Sequence, residues 1–196
     1  MTRPIAPITS SRSLVLHAWV DGAIKNNGNK DGSGIAIGGV GGVYATADGE
    51  VLADLQERFK GTTAEVTNNR MELLAAILAL ESLPGLFDNL DEVDVVSVHS
   101  DSAYVVNGIN KHIGAWIDRN WHTRAGAPVK NQDLWERLDA ISGSNALPSV
   151  EFVKTSGHKG IELNERADIL ATQAVRGEWL DDDFEFEGEE EVEEEE

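Results

Sequence analysis

The feature of this sequence that most restricts its fold is a change of pattern near residue 67. Before it, three runs rich in β-branched or glycine residues predict strands; after it, helical and strand patterns alternate. Alternation is typical of parallel strands joined by helices that pack on the sheet, whereas short connections between the first three runs favour antiparallel pairing. The sequence therefore predicts an α/β fold with a five-stranded mixed sheet flanked by helices.

The bounds of these elements follow from the local patterns. The predicted strands are residues 14–20, 35–43, 51–59, 93–99 and 150–154, and the stretch 21–34, rich in Gly, Asn and Asp, predicts a turn. The predicted helices are residues 67–83, 102–108, 111–121, 132–141 and 162–175. The first helix has the strongest signal, because apolar residues recur at helical spacing and Pro84 is expected to end it.

The charge of the chain is distributed unevenly. The net charge is −19, but residues 181–196 hold 12 acidic and no basic side chains, so residues 1–180 carry −7. We expect residues 1–13 to form a flexible arm, residues 14–178 a single domain and residues 179–196 a disordered acidic tail. An acidic body argues against a nucleic-acid partner, since phosphate binding normally uses a basic face. Any such function must therefore be indicated by specific motifs.

Composition excludes several other classes of protein. The chain has no cysteine, so it has neither disulfides nor a thiolate metal site. No apolar stretch approaches the ~20 residues that a membrane helix needs, and the first 13 residues lack the apolar core of a signal peptide. We therefore expect a cytoplasmic protein without a membrane partner.

Four acidic residues occupy positions that solubility explains poorly. Asp21 follows the first predicted strand, and Asp101 follows the fourth, at the strand end where ligand sites form in open α/β sheets. Glu72 is the only charged residue between positions 71 and 80, and Asp168 lies among apolar residues of the last helix. Taken singly, each acid is ordinary for a turn, a cap or a solvated helix surface, so the prediction depends on the set.

Together, the four acids predict a metal site. If the first and fourth strands are neighbours, Asp21 and Asp101 come together, and the helices can bring Glu72 and Asp168 alongside. Clustered carboxylates repel one another, and a hard divalent cation relieves that repulsion. Carboxylate oxygens suit Mg²⁺ or Mn²⁺, whereas zinc is disfavoured by the absence of cysteine and the few histidines.

The motifs resemble those of a known family, the type I ribonucleases H, also called the bacterial ribonuclease HI family. The matching segments are VDG at 20–22, TNNRMEL at 67–73, SDSAYVVNGI at 100–109, PVKNQDLWERLD at 128–139 and GHKGIELNERAD at 157–168. They occur in the family's order and span residues 14–176. The resemblance implies a ribonuclease H-like fold and an endonuclease that hydrolyses the RNA strand of RNA/DNA hybrids, leaving 5′-phosphate and 3′-hydroxyl ends.

The resemblance also implies roles for the acids and for one histidine. Two Mg²⁺ ions, or Mn²⁺ in their place, would be held by the four carboxylates, with Asp21 and Asp101 shared between them. Glu72 would bind one ion and face the RNA 2′-hydroxyl, and Asp168 would hold the other ion. In the family, one ion activates the attacking water and the other stabilises the leaving 3′ oxygen. His158 would move a proton or assist product release.

Substrate-binding residues follow from the same resemblance. Asn27 and Asn68 match minor-groove contacts, where 2′-hydroxyls distinguish RNA from DNA. Thr67 and Asn131 match part of a pocket for a DNA-strand phosphate, and Trp116 and Trp121 lie in the segment that relatives use as a basic, DNA-gripping protrusion. Two departures predict weaker, more salt-sensitive binding. Glu65 replaces a residue that is often basic in the pocket, and the protrusion carries few basic residues.

Two other functions remain open. A relative on the same fold that cuts DNA is disfavoured by the segments at 67–73 and 157–168, and an inactive hybrid-binding or protein-interaction module is disfavoured by the four intact acids. The acidic tail either keeps the protein soluble, competes with nucleic acid for the protein's own basic groove, or binds a basic partner; a high-salt host would also explain its charge. We expect a monomer.

Overall fold

A computed structural model of the protein describes residues 14–26, 34–156 and 160–179. Its five strands are β1 (Val15–Asn26), β2 (Ile35–Thr46), β3 (Val51–Thr62), β4 (Val95–Ser100) and β5 (Ser149–Lys154). They lie in the order β3-β2-β1-β4-β5, with β1, β2 and β3 antiparallel and β1, β4 and β5 parallel. This order confirms the predicted mixed five-stranded sheet.

The helices pack on both faces of the sheet. They are α1 (Asn68–Leu86), α2 (Ala103–Asn107), α3 (Ile113–Asp118), α4 (Gln132–Ser142) and α5 (Glu162–Arg176). A short 3₁₀ turn, Leu90–Glu92, precedes β4, and a π-helical turn, Gly108–His112, joins α2 to α3. The two predicted helices at 102–108 and 111–121 are therefore one helical run. Among the residues described, none of the helices is both long and apolar enough to span a membrane.

Side chains on β1 alternate between the two faces of the sheet. Leu16, Ala18 and Val20 are buried on the face covered by α1, against which α4 packs, in the main hydrophobic core. Trp19 points to the other face and packs with Leu170 of α5. Helix α5 lies across β1, β2 and β3 on this second face. The sheet is thus enclosed between two helical layers, and both layers contribute an acid to the site described below.

The first strand is longer than the sequence predicts. A turn was expected from residue 21, but the pairing of β1 with β2 continues without a break from Leu16 to Asn26, so the prediction is wrong for residues 21–26. Glycine at position 22 suggested a turn, yet it serves a different need, because it lies against the backbone of α1. Asp21 therefore lies within a strand rather than after one.

Helix α1 also passes its predicted end. Pro84 was expected to stop the helix, but the helix continues to Leu86. Proline removes the helical hydrogen bond of its own N–H, but its fixed φ of about −65° is compatible with a helix. The last turn is closed by the bond from Phe87 N to Leu83 O at 3.0 Å.

Candidate active site

Asp21 and Asp101 come together because the parallel pairing of β1 with β4 stops two residues before each of them. The register of β1 and β4 places Trp19 opposite His99, and each aspartate lies two residues further along its own chain. Asp21 is still within β1, where it pairs with Gly41 of β2, whereas Asp101 directly follows β4. The predicted adjacency of the two strands is thus confirmed, and it brings the two carboxylates to the same edge.

Helix α1 brings Glu72 to this edge by packing directly on the backbone of β1. A Cβ placed on Gly22 would lie 2.4 Å from both Glu72 N and Met71 C, so only glycine permits the approach. The Glu72 carboxylate is half-buried. It accepts hydrogen bonds from Asn68 Nδ2, at 2.6 Å, and from the Ser102 hydroxyl.

Helix α5 brings Asp168 to the same edge from the other face of the sheet. A Cβ on Gly41 would lie 2.1 Å from the backbone oxygen of Ala167, so α5 rests on β2 one residue before Asp168. Asp168 is itself exposed, but it lies close enough to Asp21 for its charge to raise the pKa of that buried carboxyl group. Helices α1 and α5 and the segment after β4 are distant in sequence, and all three meet near Asp21.

Burial and mutual repulsion shift the protonation of the carboxylates. The pKa of Asp21 rises from 3.8 to about 8, first because the group is buried and then because of the charges of Asp101 and Asp168; the N–H of Gly22, 2.8 Å from Asp21 Oδ1, opposes the rise. Burial and Asp101 likewise raise the pKa of Glu72, against the hydrogen bonds from Ser102 and Asn68. The fold therefore concentrates negative charge that a cation would stabilise.

The donor set fits a hard divalent cation in its chemistry. The converging groups are carboxylates, the oxygen ligands that Mg²⁺ and Mn²⁺ prefer, and their repulsion is what a cation relieves. As the side chains stand, no three His, Asp or Glu groups among the described residues are arranged so that they could hold an ion. Glu72 is turned to Ser102 and Asn68, so an ion would compete with these two donors for its carboxylate.

The two predicted phosphate-pocket residues precede α1 and α4, and both accept a hydrogen bond from Arg70. Thr67 caps α1 by accepting a bond from Arg70 N at 3.4 Å, and Asn131 precedes α4 with a φ of 58°. The Asn131 amide donates to the Tyr104 hydroxyl at 3.0 Å, and its oxygen lies 3.5 Å from Arg70 Nη1. Asn68 instead faces Glu72, so it belongs to the carboxylate cluster in this arrangement.

The Glu65 side chain has a local structural role. Its carboxylate accepts bonds from the backbone N–H and the hydroxyl of Thr62, at 2.8 and 2.9 Å, and thereby closes the turn between β3 and α1; the backbone bond is the main reason that the pKa of Glu65 is lowered. The nearby Arg70 guanidinium is neutralised by a bidentate bond to Asp133, at 2.9 and 2.7 Å. The Arg70 charge beside Thr67 and Asn131 is therefore already paired with a carboxylate.

The predicted tryptophans pack into the protein. Trp116 is half-buried and lies edge-on to Trp135, with ring centroids 5.2 Å apart. Trp121 is also half-buried against the core, and its backbone bonds Trp116 O at 2.7 Å and Val129 N at 2.9 Å. Both rings thus support the segment between α3 and α4, and only their remaining exposed surface is open to a ligand.

Asn27, His158 and the acidic tail lie outside the described residues. The segments that flank His158 are tied to α5. The Thr155 hydroxyl bonds the Asn164 side chain at 3.2 Å, where both residues are buried, and Gly160 N donates to the Glu165 carboxylate at 2.8 Å. The sequence segment at 157–168 therefore contributes two hydrogen-bonding residues, Asn164 and Glu165, as well as Asp168.

Two site residues were missed by sequence reasoning. Ser102 bonds Glu72, and Lys154, the last residue of β5, donates to the backbone oxygen of Asp101. Lys154 ends a strand that was predicted to be parallel to the strand before Asp101. Because parallel strands end on the same side of a sheet, this prediction could have placed Lys154 near Asp101.

Comparisons with known proteins agree with this architecture. A family model described as RNase H matches residues 14–176. A ribonuclease H from Ruegeria sp. is 45% identical over 80% of this chain and 88% of its own length, and a ribonuclease HI from Caulobacter vibrioides is 39% identical over 81% and 91%. Among solved structures, LC9-RNase H1, a type 1 RNase H, aligns with a TM-score of 0.62 at 25% identity, covering 87% of this chain and 76% of that one.

Proposed function

Because this chain belongs to the ribonuclease H family, we propose that it is an endonuclease that hydrolyses the RNA strand of RNA/DNA hybrids by a two-metal-ion mechanism, leaving 5′-phosphate and 3′-hydroxyl ends. Family membership makes the chain a ribonuclease H. The two-metal-ion mechanism and the chemistry of the product ends are proposals beyond family membership. The observation that carries the proposal is the convergence of Asp21, Asp101 and Asp168, with Glu72 beside them. A protein that only binds hybrids has no use for acids that repel one another.

The four carboxylates are proposed as the metal ligands. Asp21 and Asp101 would be shared between two ions, Glu72 would hold one and Asp168 the other. Mg²⁺, or Mn²⁺ in its place, supplies activation of water and neutralisation of the phosphate charge when bound there. The chain's own contribution is to fix Asp21 and Asp101 on adjacent strands and to carry Glu72 and Asp168 on helices that rest on glycine. Glu72 would also face the 2′-hydroxyl of the RNA strand.

The substrate contacts are proposed from matching positions. Asn27 and Asn68 would contact the minor groove, and Thr67 and Asn131 would hold a phosphate of the DNA strand through N–H, amide and hydroxyl groups. Trp116 and Trp121 would support or contact the hybrid from the segment between α3 and α4. His158 would move a proton or assist product release, since its ordinary pKa lies near ~6.5. With Glu65 at the pocket, we expect hybrid binding to be weak at high salt.

We also propose that the protein is a monomer and that it works in the cytoplasm. We further propose that the acidic tail of residues 181–196 competes with the hybrid for the protein's own basic groove, or binds a basic partner. Competition is supported by the tail's charge density, because its 12 carboxylates can pair with the same basic side chains that would contact nucleic-acid phosphates.

The proposed activity is tested by cleavage of a uniformly labelled RNA/DNA hybrid with Mg²⁺. Single-stranded RNA, duplex RNA and duplex DNA are assayed in parallel, for the wild type, Asp101→Asn and Asp91→Asn. Asp91 is a matched control, because it is exposed in the turn before β4, at the opposite end of that strand from Asp101. We expect cleavage of only the RNA strand of the hybrid, its loss in Asp101→Asn and its retention in Asp91→Asn.

The alternative is an inactive hybrid-binding module on the same fold. It would bind the hybrid equally well with EDTA and show no cleavage with Mg²⁺ or Mn²⁺, even after removal of residues 181–196. That combination would overturn the enzyme proposal. Cleavage of duplex DNA instead of the hybrid would indicate a DNA-cutting relative.

A further inference from the structure

Lys154 places a positive charge at the acidic edge of the sheet. It is the last residue of β5, paired with Ser100 at the end of β4, so it reaches the edge from the side of β4 opposite to Asp21. Its ammonium group donates to the backbone oxygen of Asp101 and, at 2.8 Å, to that of Thr155. The charge of this long, flexible side chain is therefore held at one place.

The backbone that Lys154 contacts is held by other bonds. Thr155 N donates to Ser100 O at 3.0 Å, and Ser102 N donates to the Ser100 hydroxyl at 3.1 Å. The turn after Asp101 then enters α2 through the bond from Val106 N to Ser102 O at 3.1 Å. Because these bonds fix the segment without Lys154, the lysine hydrogen bonds serve mainly to position the ammonium group.

The ammonium group acts on the carboxylate cluster. Its contact with the backbone oxygen of Asp101 places the positive charge beside a residue whose carboxylate belongs to the cluster, so the charge acts on the acids at short range. A lysine head is a compact point charge, so its effect on its neighbours is electrostatic rather than directional. The cluster thus contains four acids and one fixed cation, all contributed by the protein.

We propose that Lys154 is a positioning residue that acts as the built-in counter-charge of the acidic cluster and sets how tightly the four carboxylates hold a divalent cation. The inference rests on the proposed function, because it takes the cluster to be a metal site. Without a bound cation, the ammonium group limits repulsion among the acids. With one, it repels the ion, so binding is weaker and exchange is easier than for the four acids alone.

The test is calorimetric titration of the full-length protein with Mn²⁺ in the absence of nucleic acid. Lys154→Met removes the charge and keeps the length of the side chain, and we expect it to tighten Mn²⁺ binding about fivefold, as removal of a nearby like charge would. Lys154→Arg keeps the charge and should bind like the wild type. Lys60→Met is the matched control, because Lys60 is exposed on β3, at the far side of the sheet. If Lys154→Met fails to fold, Lys154→Gln replaces it with the same expectation.

Unchanged or weaker Mn²⁺ binding in Lys154→Met would overturn the inference, as would equal tightening in Lys154→Arg. Failure of the wild type to bind Mn²⁺ would overturn it together with the metal site. Hybrid cleavage by the wild type is measured separately, so loss of the inference and loss of the proposed function are distinguishable. A wild type that cleaves the hybrid while Lys154→Met leaves the Mn²⁺ affinity unchanged would remove only the role of Lys154.

Discussion

Asp21 in β1 and Asp168 in α5 lie close enough for the charge of Asp168 to raise the pKa of Asp21, although 146 residues separate them in sequence. Burial of Asp21 and the charges of Asp101 and Asp168 raise its pKa to about 8, so its protonated form is favoured near neutral pH when no cation is bound. The arrangement costs stability whenever Asp21 is forced to ionise.

We expect Asp21→Asn to stabilise the metal-free protein in a pH-dependent way. The pKa of Asp21 is about 8 in the folded state against an ordinary value of 3.8, so stability falls as pH rises through this range. Asparagine removes the charge and can still accept the Gly22 N–H bond. The gain should be absent below pH ~4 and on the order of 5 kcal/mol above pH ~8, because one pKa unit corresponds to about 1.4 kcal/mol.

This gain is measured by urea unfolding in EDTA at pH 4 and pH 9, beside Asp91→Asn, for which we expect no such gain. The same Asp21→Asn protein should not cleave the hybrid. An equal gain at both pH values would show that ionisation of Asp21 does not limit stability.

We expect Gly22→Ala to separate α1 from β1. The added Cβ would meet the backbone of Met71 and Glu72 at 2.4 Å, and backbone atoms cannot move aside as a flexible side chain can. Overpacking of this kind costs about 3 kcal/mol in the free energy of unfolding, and kcat should fall because Glu72 is displaced. Gly114→Ala in α3 is the control, since its Cβ would meet nothing within 4 Å. A Gly22→Ala protein as stable and active as the wild type would disprove the close packing.

We expect His99→Phe to reduce acid sensitivity. His99 Nε2 lies 2.7 Å from His17 Nδ1, and its ring stacks on Trp19 with centroids 4.0 Å apart. Burial first, and then the charge of His17, lower the pKa of His99 to about 4, so stability is present above pH 6.5 and is lost as pH falls towards 4.

Phenylalanine keeps the ring stack and cannot gain a proton. The difference in unfolding free energy between pH 7 and pH 4.5 should therefore shrink by about 1 kcal/mol relative to the wild type, after allowance for solvent screening. The exposed His122, changed to Phe, is the control. An identical pH profile for His99→Phe and the wild type would count against this explanation.

We expect deletion of residues 181–196 to lower the KM for the hybrid at low salt severalfold, with little change in kcat. The deletion removes 12 acidic residues that repel or replace nucleic-acid phosphates. Salt screens both the tail's repulsion of phosphates and its attraction to basic side chains, so the difference in KM should disappear at high salt. A tail of the same length with Gln and Asn in place of the acids separates charge from bulk. An unchanged KM at low salt would leave solubility as the tail's role.

Prediction from sequence worked where the signal is local or repeats along the chain. The switch from strand patterns to alternating helices and strands predicted the sheet, and the positions of Asp21 and Asp101 after apolar runs predicted that the two acids meet. It was wrong where tertiary contacts override a local rule. Gly22 suggested a turn, but lies in a strand because α1 needs space there, and Pro84 did not end α1.

The sequence by itself determined the order of the elements, the α/β class and the family, because periodicity and motif spacing are properties of the chain. Only the tertiary structure decided that Asp168 reaches Asp21, that Glu65 closes a turn on Thr62, and that Lys154 stands beside Asp101. The positions of Asp168 and Lys154 depend on the register of strands and the packing of helices that are far apart in sequence. The position of the Glu65 side chain depends on the geometry of one turn. The contacts of Asp168 and Lys154 are set by the packing of the whole core, which no local pattern specifies.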